Sequence, residues 1–118
     1  MSDLVKITGL SAKGFHGVLD SEKQRGQKFI VDVEMSVSVS NLKDDLSKTV
    51  NYAQAAQLIH DQITGKPVRL IETLAENIAK TLLKEFKTVK EVKVIVHKPK
   101  APISLKFSDV SVEITRKR

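Results

Sequence analysis

The chain has 118 residues, 41% of them hydrophobic, with a formal net charge of +6 and a pI near 9.6. That length suits a single domain, residues 1–118, around one core, and the absence of cysteine excludes disulfide frameworks, thiolate nucleophiles, iron–sulfur clusters and thiolate zinc sites. MSDLVKITGL lacks the basic start and long apolar run of a secretory signal, and no stretch approaches the ~18 apolar residues of a membrane span, so a soluble cytoplasmic protein is expected.

A short alternation around Leu4 to Phe15 predicts a first strand. From Lys28 to Ser40 the odd positions Phe29, Val31, Val33, Met35, Val37 and Val39 are apolar while Asp32, Glu34, Ser36, Ser38 and Ser40 fill most even ones, the pattern of a long two-faced strand. Tyr52, Ala56, Ile59 and Ile63 then recur at helical spacing, opened by Asn51 as an N-cap and closed by Gly65. A second helical stripe reads Ile71, Leu74, Ala75, Ile78, Leu82 and Phe86. Two strands follow, one with Val92, Val94 and Val96 and one with Val110, Val112 and Ile114.

The order strand, strand, helix, helix, strand, strand predicts an α+β fold: a four-stranded antiparallel sheet with both helices on one face. Its other face, marked by the polar even positions of the second strand, is expected to be wet. Its two edges need cover. Copies joined edge to edge would close a barrel around a tunnel with the helices outside, so a homo-oligomer is expected.

No strong cofactor motif appears. His16, His60 and His97 lie in different elements and form no close metal pair, so no metal is expected. GLSAKGFHG has glycines but neither the ending nor the placement of a phosphate loop. Four local features at element edges remain. HGVLDSEK (16–23) puts Glu22 near the end of the sheet, and TVNYAQ (49–54) carries the only tyrosine. LIETLAE (70–76) sets Glu72 in the first turn of the second helix, and HKPKAPI (97–103) sets Lys98 at a strand exit. Each has a plain structural reading: Glu22 a solvated loop acid, Tyr52 a core aromatic, Glu72 a charge favoured by the helix dipole, Lys98 a surface lysine.

Taken in order, HGVLDSEK, GQKFIVDVEM (26–35), TVNYAQ, LIETLAE and VHKPKAPI resemble the dihydroneopterin aldolase family over nearly the whole chain. The resemblance implies the tunnelling fold, with four subunits joined through their sheets into a ring, two rings stacking into an octamer, and active sites between subunits. It also implies a pterin substrate, 7,8-dihydroneopterin, cleaved to 6-hydroxymethyl-7,8-dihydropterin and glycolaldehyde in folate biosynthesis, with no cofactor and no lysine Schiff base. Residue by residue, it implies that Glu72 binds the amino-pyrimidinone edge, that backbone amides at Leu70 and Ile71 meet the carbonyl side, and that Val18 and Val50 line the pocket. Lys98 carries the proton transfers through a bound water, Glu22 orients the reacting groups, and Tyr52 of a neighbouring subunit stacks near the pterin and helps protonate the intermediate. A free lysine has a pKa of about 10.4, so base work near neutrality asks for burial or a nearby cation, for which Lys100 is placed in sequence.

Two other readings compete. An epimerase of the same fold, acting on dihydroneopterin or its triphosphate, would use the same residues, with Lys98, Lys100 and Lys106 as a weak phosphate set. The net charge also invites a basic nucleic-acid module, but three of the charges sit in the last three residues, expected to be a solvated tail, and only five aromatics are present for stacking. No nucleic-acid or membrane partner is therefore expected.

Overall fold

The long alternation forms β2 (Gln27–Val37), with Phe29, Val31, Val33 and Met35 fully buried and Asp32 and Glu34 on the opposite face. In this computed structural model, which describes residues 3–118, β2 pairs antiparallel with β1 (Asp3–Gly14) and with β3 (Glu91–His97). β3 pairs antiparallel with β4 (Ser111–Lys117), so the sheet order is the chain order and β1 and β4 form its edges. β1 keeps one apolar face only by a register slip between Ile7 and Leu10, with Gly9 at φ 74°. The extra residue returns Leu10 and Ala12 to the side already taken by Val5 and Ile7.

β2 stops before the expected Ser40. Asn41, Lys43 and Asp44 have φ of 58°, 52° and 59°, a left-handed conformation that Asn and Asp tolerate best, and the chain turns away there. Val39 lies beyond the end of β2 at Val37 and is 46% exposed.

Two long helices, α2 (Tyr52–Thr64) and α3 (Ile71–Glu85), cover the apolar face of the sheet, α2 over β1 and α3 over β3 and β4. A shorter helix, α1 (Asp20–Arg25), lies in the β1–β2 connection where a loop was expected. Asn51 caps α2 by accepting from the N–H groups of Ala53 and Gln54. The buried stripe of α2 is Ala55, Ile59 and Ile63. Tyr52, the first residue of α2, is 66% exposed, which removes its reading as a core aromatic. On α3 the stripe is Ile71, Leu74, Ala75, Ile78, Ala79 and Leu82, as the spacing predicts, with Phe86 at the C-cap.

The far face of the sheet carries a charge ladder across all four strands: Lys6 to Glu34 at 3.8 Å, Glu34 to Lys93 at 3.9 Å, and Lys93 to Glu113 at 3.9 Å. The basic terminus is not the solvated tail its composition suggests. Arg116 donates from Nε and Nη2 to both carboxylate oxygens of Glu76 on α3. Arg118 donates to the carbonyls of Leu83, Phe86 and Val89, covering the exposed acceptors at the end of α3. Arg118→Ala should cost about 1 kcal/mol and lower the thermal midpoint by about 4 °C, measured by circular dichroism. No helix among the described residues is long and apolar enough to cross a membrane.

Candidate active site

The site is built where β1 leaves the sheet. His16 is fully buried, with its ring edge-on to Phe29 at 5.2 Å. Its Nδ1 accepts from the Val68 N–H at 3.0 Å, so the ring proton sits on Nε2 and is donated to the Ile63 carbonyl at 2.7 Å. Burial pushes the His16 pKa below its ordinary value and the charge of Lys98 adds to this, outweighing the hydrogen bond to Ile63. The Gly17 N–H also donates to Val68 at 3.0 Å. These bonds join the strap 65–70 to the loop 16–19, the two walls of the site.

α1 starts immediately after this junction and brings Glu22 inward. The Leu19 N–H donates to Glu22 Oε1 at 3.2 Å, the Gln27 amide donates to Oε2 at 2.9 Å, and Lys98 Nζ reaches Oε2 at 2.5 Å. Glu22 and Lys98 side chains are only 6% and 13% exposed. Burial pushes the Glu22 pKa up, but the bonds from Lys98, Gln27 and Leu19 together outweigh it and hold the carboxyl below its ordinary value. Glu22 is thus not a solvated loop acid. The immediate partner of Lys98 is a carboxylate, whereas Lys100 lines a depression in front of Glu22 together with Arg25, Gln27 and Pro102. One ammonium N–H is committed to Glu22, which leaves two to hold a water or a substrate hydroxyl.

Gly17 makes this packing possible. A Cβ there would lie 2.4 Å from the Glu22 carboxyl group. Gly17→Ala should displace Glu22 from Lys98 and lower kcat by about tenfold to a hundredfold, in line with the cost of small misplacements at reacting groups. Steady-state kinetics on a folded variant check this.

A cleft of about 550 Å³ opens beside the loop, lined by Val18, Val68, Arg69, Leu70 and Thr73, a size that fits a bicyclic heterocycle. Glu72 stands exposed in the first turn of α3 and makes no ion pair with another described residue. Leu70 is the N-cap of α3 and supplies no side-chain acceptor, so the amides that open the helix remain donors for a ligand. The Ile71 side chain is buried, so only its backbone is available at this helix start.

Val50 is 2% exposed and belongs to the hydrophobic core, so its side chain forms no wall of this cleft. Tyr52 begins α2, whose other end meets His16 through Ile63, and 13 residues of helix span about 20 Å. Within one chain Tyr52 is therefore remote from the His16 end, where Glu22 and Lys98 meet. The groove between α2 and α3 lined by Gln54, Leu58 and Phe86 contains none of the expected site residues.

Two contributors escaped the sequence reading. Gln27 was treated only as part of a strand motif, yet it donates to Glu22 and its Oε1 is buried without a partner among the described residues. His16 enters the sequence reading as a possible metal ligand and as the first residue of HGVLDSEK, neither of which points to its tie between two loops. The signal for α1 was present in the helix-tolerant run DSEKQR closed by Gly26, which has φ 69°.

Comparison with known proteins bears on this geometry. The family model described as dihydroneopterin aldolase matches residues 5–115. Relatives named dihydroneopterin aldolase from Streptomyces coelicolor and Bacillus subtilis are 46% and 42% identical over 118 residues, covering 98% of this chain and 98% of each relative. The crystal structure of E. coli dihydroneopterin aldolase in complex with neopterin is 31% identical and superposes with a TM-score of 0.87, covering 97% of this chain and 98% of that one.

Proposed function

The chain belongs to the dihydroneopterin aldolase family, and on that premise we propose that residues 1–118 act as one lyase unit on 7,8-dihydroneopterin. The reaction is a retro-aldol cleavage to 6-hydroxymethyl-7,8-dihydropterin and glycolaldehyde, a step of folate biosynthesis. The observation that carries this reading is the buried Lys98–Glu22 pair, joined through the pinned loop to a cleft lined by Val18 and Leu70. The relatives above are named for the aldolase, and one was crystallised with neopterin, which favours cleavage over the epimerase alternative. Against a nucleic-acid module stands the engagement of Arg116 and Arg118 by α3.

In the proposed mechanism the pterin enters the cleft with its amino-pyrimidinone edge on Glu72, a two-point acceptor, and its carbonyl side on the amides at Leu70 and Ile71. Lys98 acts as the free amine: held by Glu22, it takes the proton of the 2′ hydroxyl through a water and becomes the ammonium, which later returns a proton to C1′. The C1′–C2′ bond then breaks, its electrons flow into the ring C=N bond, and glycolaldehyde leaves. Protonation at C1′, assisted by Tyr52, completes the product. The substrate ring is the electron sink, so the step requires neither a metal nor a Schiff base. Borohydride added during turnover should trap no adduct at Lys98.

Tyr52 is assigned from a neighbouring subunit, because its own chain holds it some 20 Å along α2 from the His16 end. β1 and β4 run in opposite senses and both have a free edge, so β4 of one copy can pair antiparallel with β1 of the next. Repetition gives the proposed tetrameric ring, with the charge ladder lining its tunnel and two rings forming an octamer. Co-expressing Lys98→Ala and Tyr52→Phe chains should restore activity that neither variant has alone, since hybrids contain some intact shared sites. Incubation with 7,8-dihydroneopterin and identification of both products tests the function, and formation of only the 2′ epimer would overturn it.

A further inference from the structure

On the face of the sheet away from the helices, His97 is held between two carboxylates. Its Nε2 lies 2.7 Å from Asp32 Oδ2 and its Nδ1 lies 2.7 Å from Asp109 Oδ2. Asp32 in turn accepts the Gly9 N–H through Oδ1 at 2.7 Å. The chain of bonds therefore runs from β1 through β2 and β3 to the segment that enters β4.

A carboxylate only accepts, so both contacts are hydrogen bonds only when the ring is an imidazolium that donates from both nitrogens. Neutral imidazole has one N–H and would present a lone pair to the second carboxylate. The charged groups facing His97 are Asp32 from β2 and Asp109 ahead of β4. Its register partners Ile30 and Ser111 carry no charge, and Glu34, further along β2, is engaged by Lys6 and Lys93.

The clamp acts next to the reacting lysine. The Lys98 N–H donates to the Val110 carbonyl at 2.7 Å, and Asp109 directly precedes Val110. The His97–Asp109 bond and the Lys98–Val110 bond together close the neck of the 98–110 segment, which is largely exposed beyond it. Strand alternation puts His97 on the far face and Lys98 on the side of Glu22.

We propose that His97 is a positioning residue for Lys98: as an imidazolium between Asp32 and Asp109 it closes the neck of the 98–110 loop, and loss of its proton opens that neck. The direction of its titration agrees. Burial alone would push the His97 pKa down, but the hydrogen bonds and charges of Asp109 and Asp32 outweigh it and hold it above its ordinary value, so the clamp outlasts the charge of a free imidazole and is lost as pH rises through the His97 titration. The inference rests on the aldolase reading for its kinetic consequence, though not for its structural one.

The test uses the full chain and two readouts, hydrogen-exchange protection of the Lys98 amide against pH, and the pH profiles of kcat and KM, with the His97 ring titrated by NMR. In the wild type, Lys98 protection and kcat should fall together on the alkaline side along the His97 titration, with KM nearly constant. His97→Gln should lower both protection and kcat by about tenfold or more at pH below the wild-type His97 titration. Asp109→Asn is the decisive variant, because an amide can donate to neutral imidazole. It should lower the His97 titration while moving the alkaline limb of protection and kcat upward. The clamp is refuted if that limb follows His97 downward, or if His97→Gln keeps wild-type protection and profile. Protection behaving as expected in a protein that leaves 7,8-dihydroneopterin uncleaved would support the clamp and overturn the aldolase reading.

Discussion

Lys98→Ala should lower kcat for 7,8-dihydroneopterin cleavage by about 10²- to 10⁴-fold, the usual contribution of a positioned acid–base group, while KM changes little. The pterin ring is assigned to Glu72 and the amides of Leu70 and Ile71, so binding does not depend on the lysine. Lys98→Arg separates charge from proton transfer: guanidinium preserves a cation beside Glu22 but gives up no proton in a protein, so it should restore stability without restoring rate. The stability effect is expected because Lys98 is the charged partner of a nearly buried carboxylate. Removing one member of such a pair typically costs about 3–5 kcal/mol, a ceiling here since Leu19 and Gln27 still donate to Glu22. Combining Lys98→Ala with Glu22→Gln should be far from additive in both rate and stability, because the two side chains form one unit. Stopped-flow and steady-state rates, with circular dichroism to confirm folding, check all three variants.

Glu72→Ala should raise the Kd for neopterin and KM for substrate by about 10²- to 10³-fold, the equivalent of two hydrogen bonds to a charged acceptor at about 1.5–3 kcal/mol each, less the cost of desolvating the carboxylate. The fold should barely change, since Glu72 is exposed on α3 and its interaction with the helix dipole is worth only about 0.3–1 kcal/mol. Glu72→Gln should lie between, because the amide accepts from one ring N–H and opposes the other with its own donor. Calorimetric titration with neopterin measures binding apart from turnover. Unchanged affinity in Glu72→Ala would remove this residue from the pterin site.

Much of the fold was legible because its signals are local. Alternation in 28–40 and the Val92, Val94, Val96 row identify strands whose inward residues are fully buried. Asn51 caps a helix because a side-chain oxygen two or three residues ahead of orphan N–H groups needs no tertiary partner. The errors were local too. The apolar row suggests that β2 continues to Ser40, but among the described residues its pairing ends at Val37 opposite Asp3 and at Ser36 opposite Glu91. Tyr52 matches the helical stripe by spacing, but it is the first residue of α2 and its side chain is exposed.

The site was legible only as a set of positions. Glu22, Glu72, Tyr52 and Lys98 stand out by their place at element edges, which does not say which of them meet; the family resemblance implies Glu22 beside the reacting lysine, but neither its burial nor its other partners. Composition and period determined the order of elements, the two-faced sheet and its unpaired edges, because backbone hydrogen bonding and apolar burial repeat with the chain. Only the tertiary structure decided that Glu22 is buried, that Lys98 faces a carboxylate instead of a lysine, that His16 ties two loops, that His97 bridges two aspartates and that Arg118 closes α3. Each of those pairings joins residues distant in sequence. Their energies come from desolvated charge and directed hydrogen bonds, which act over a few ångströms and leave no periodic trace along the chain.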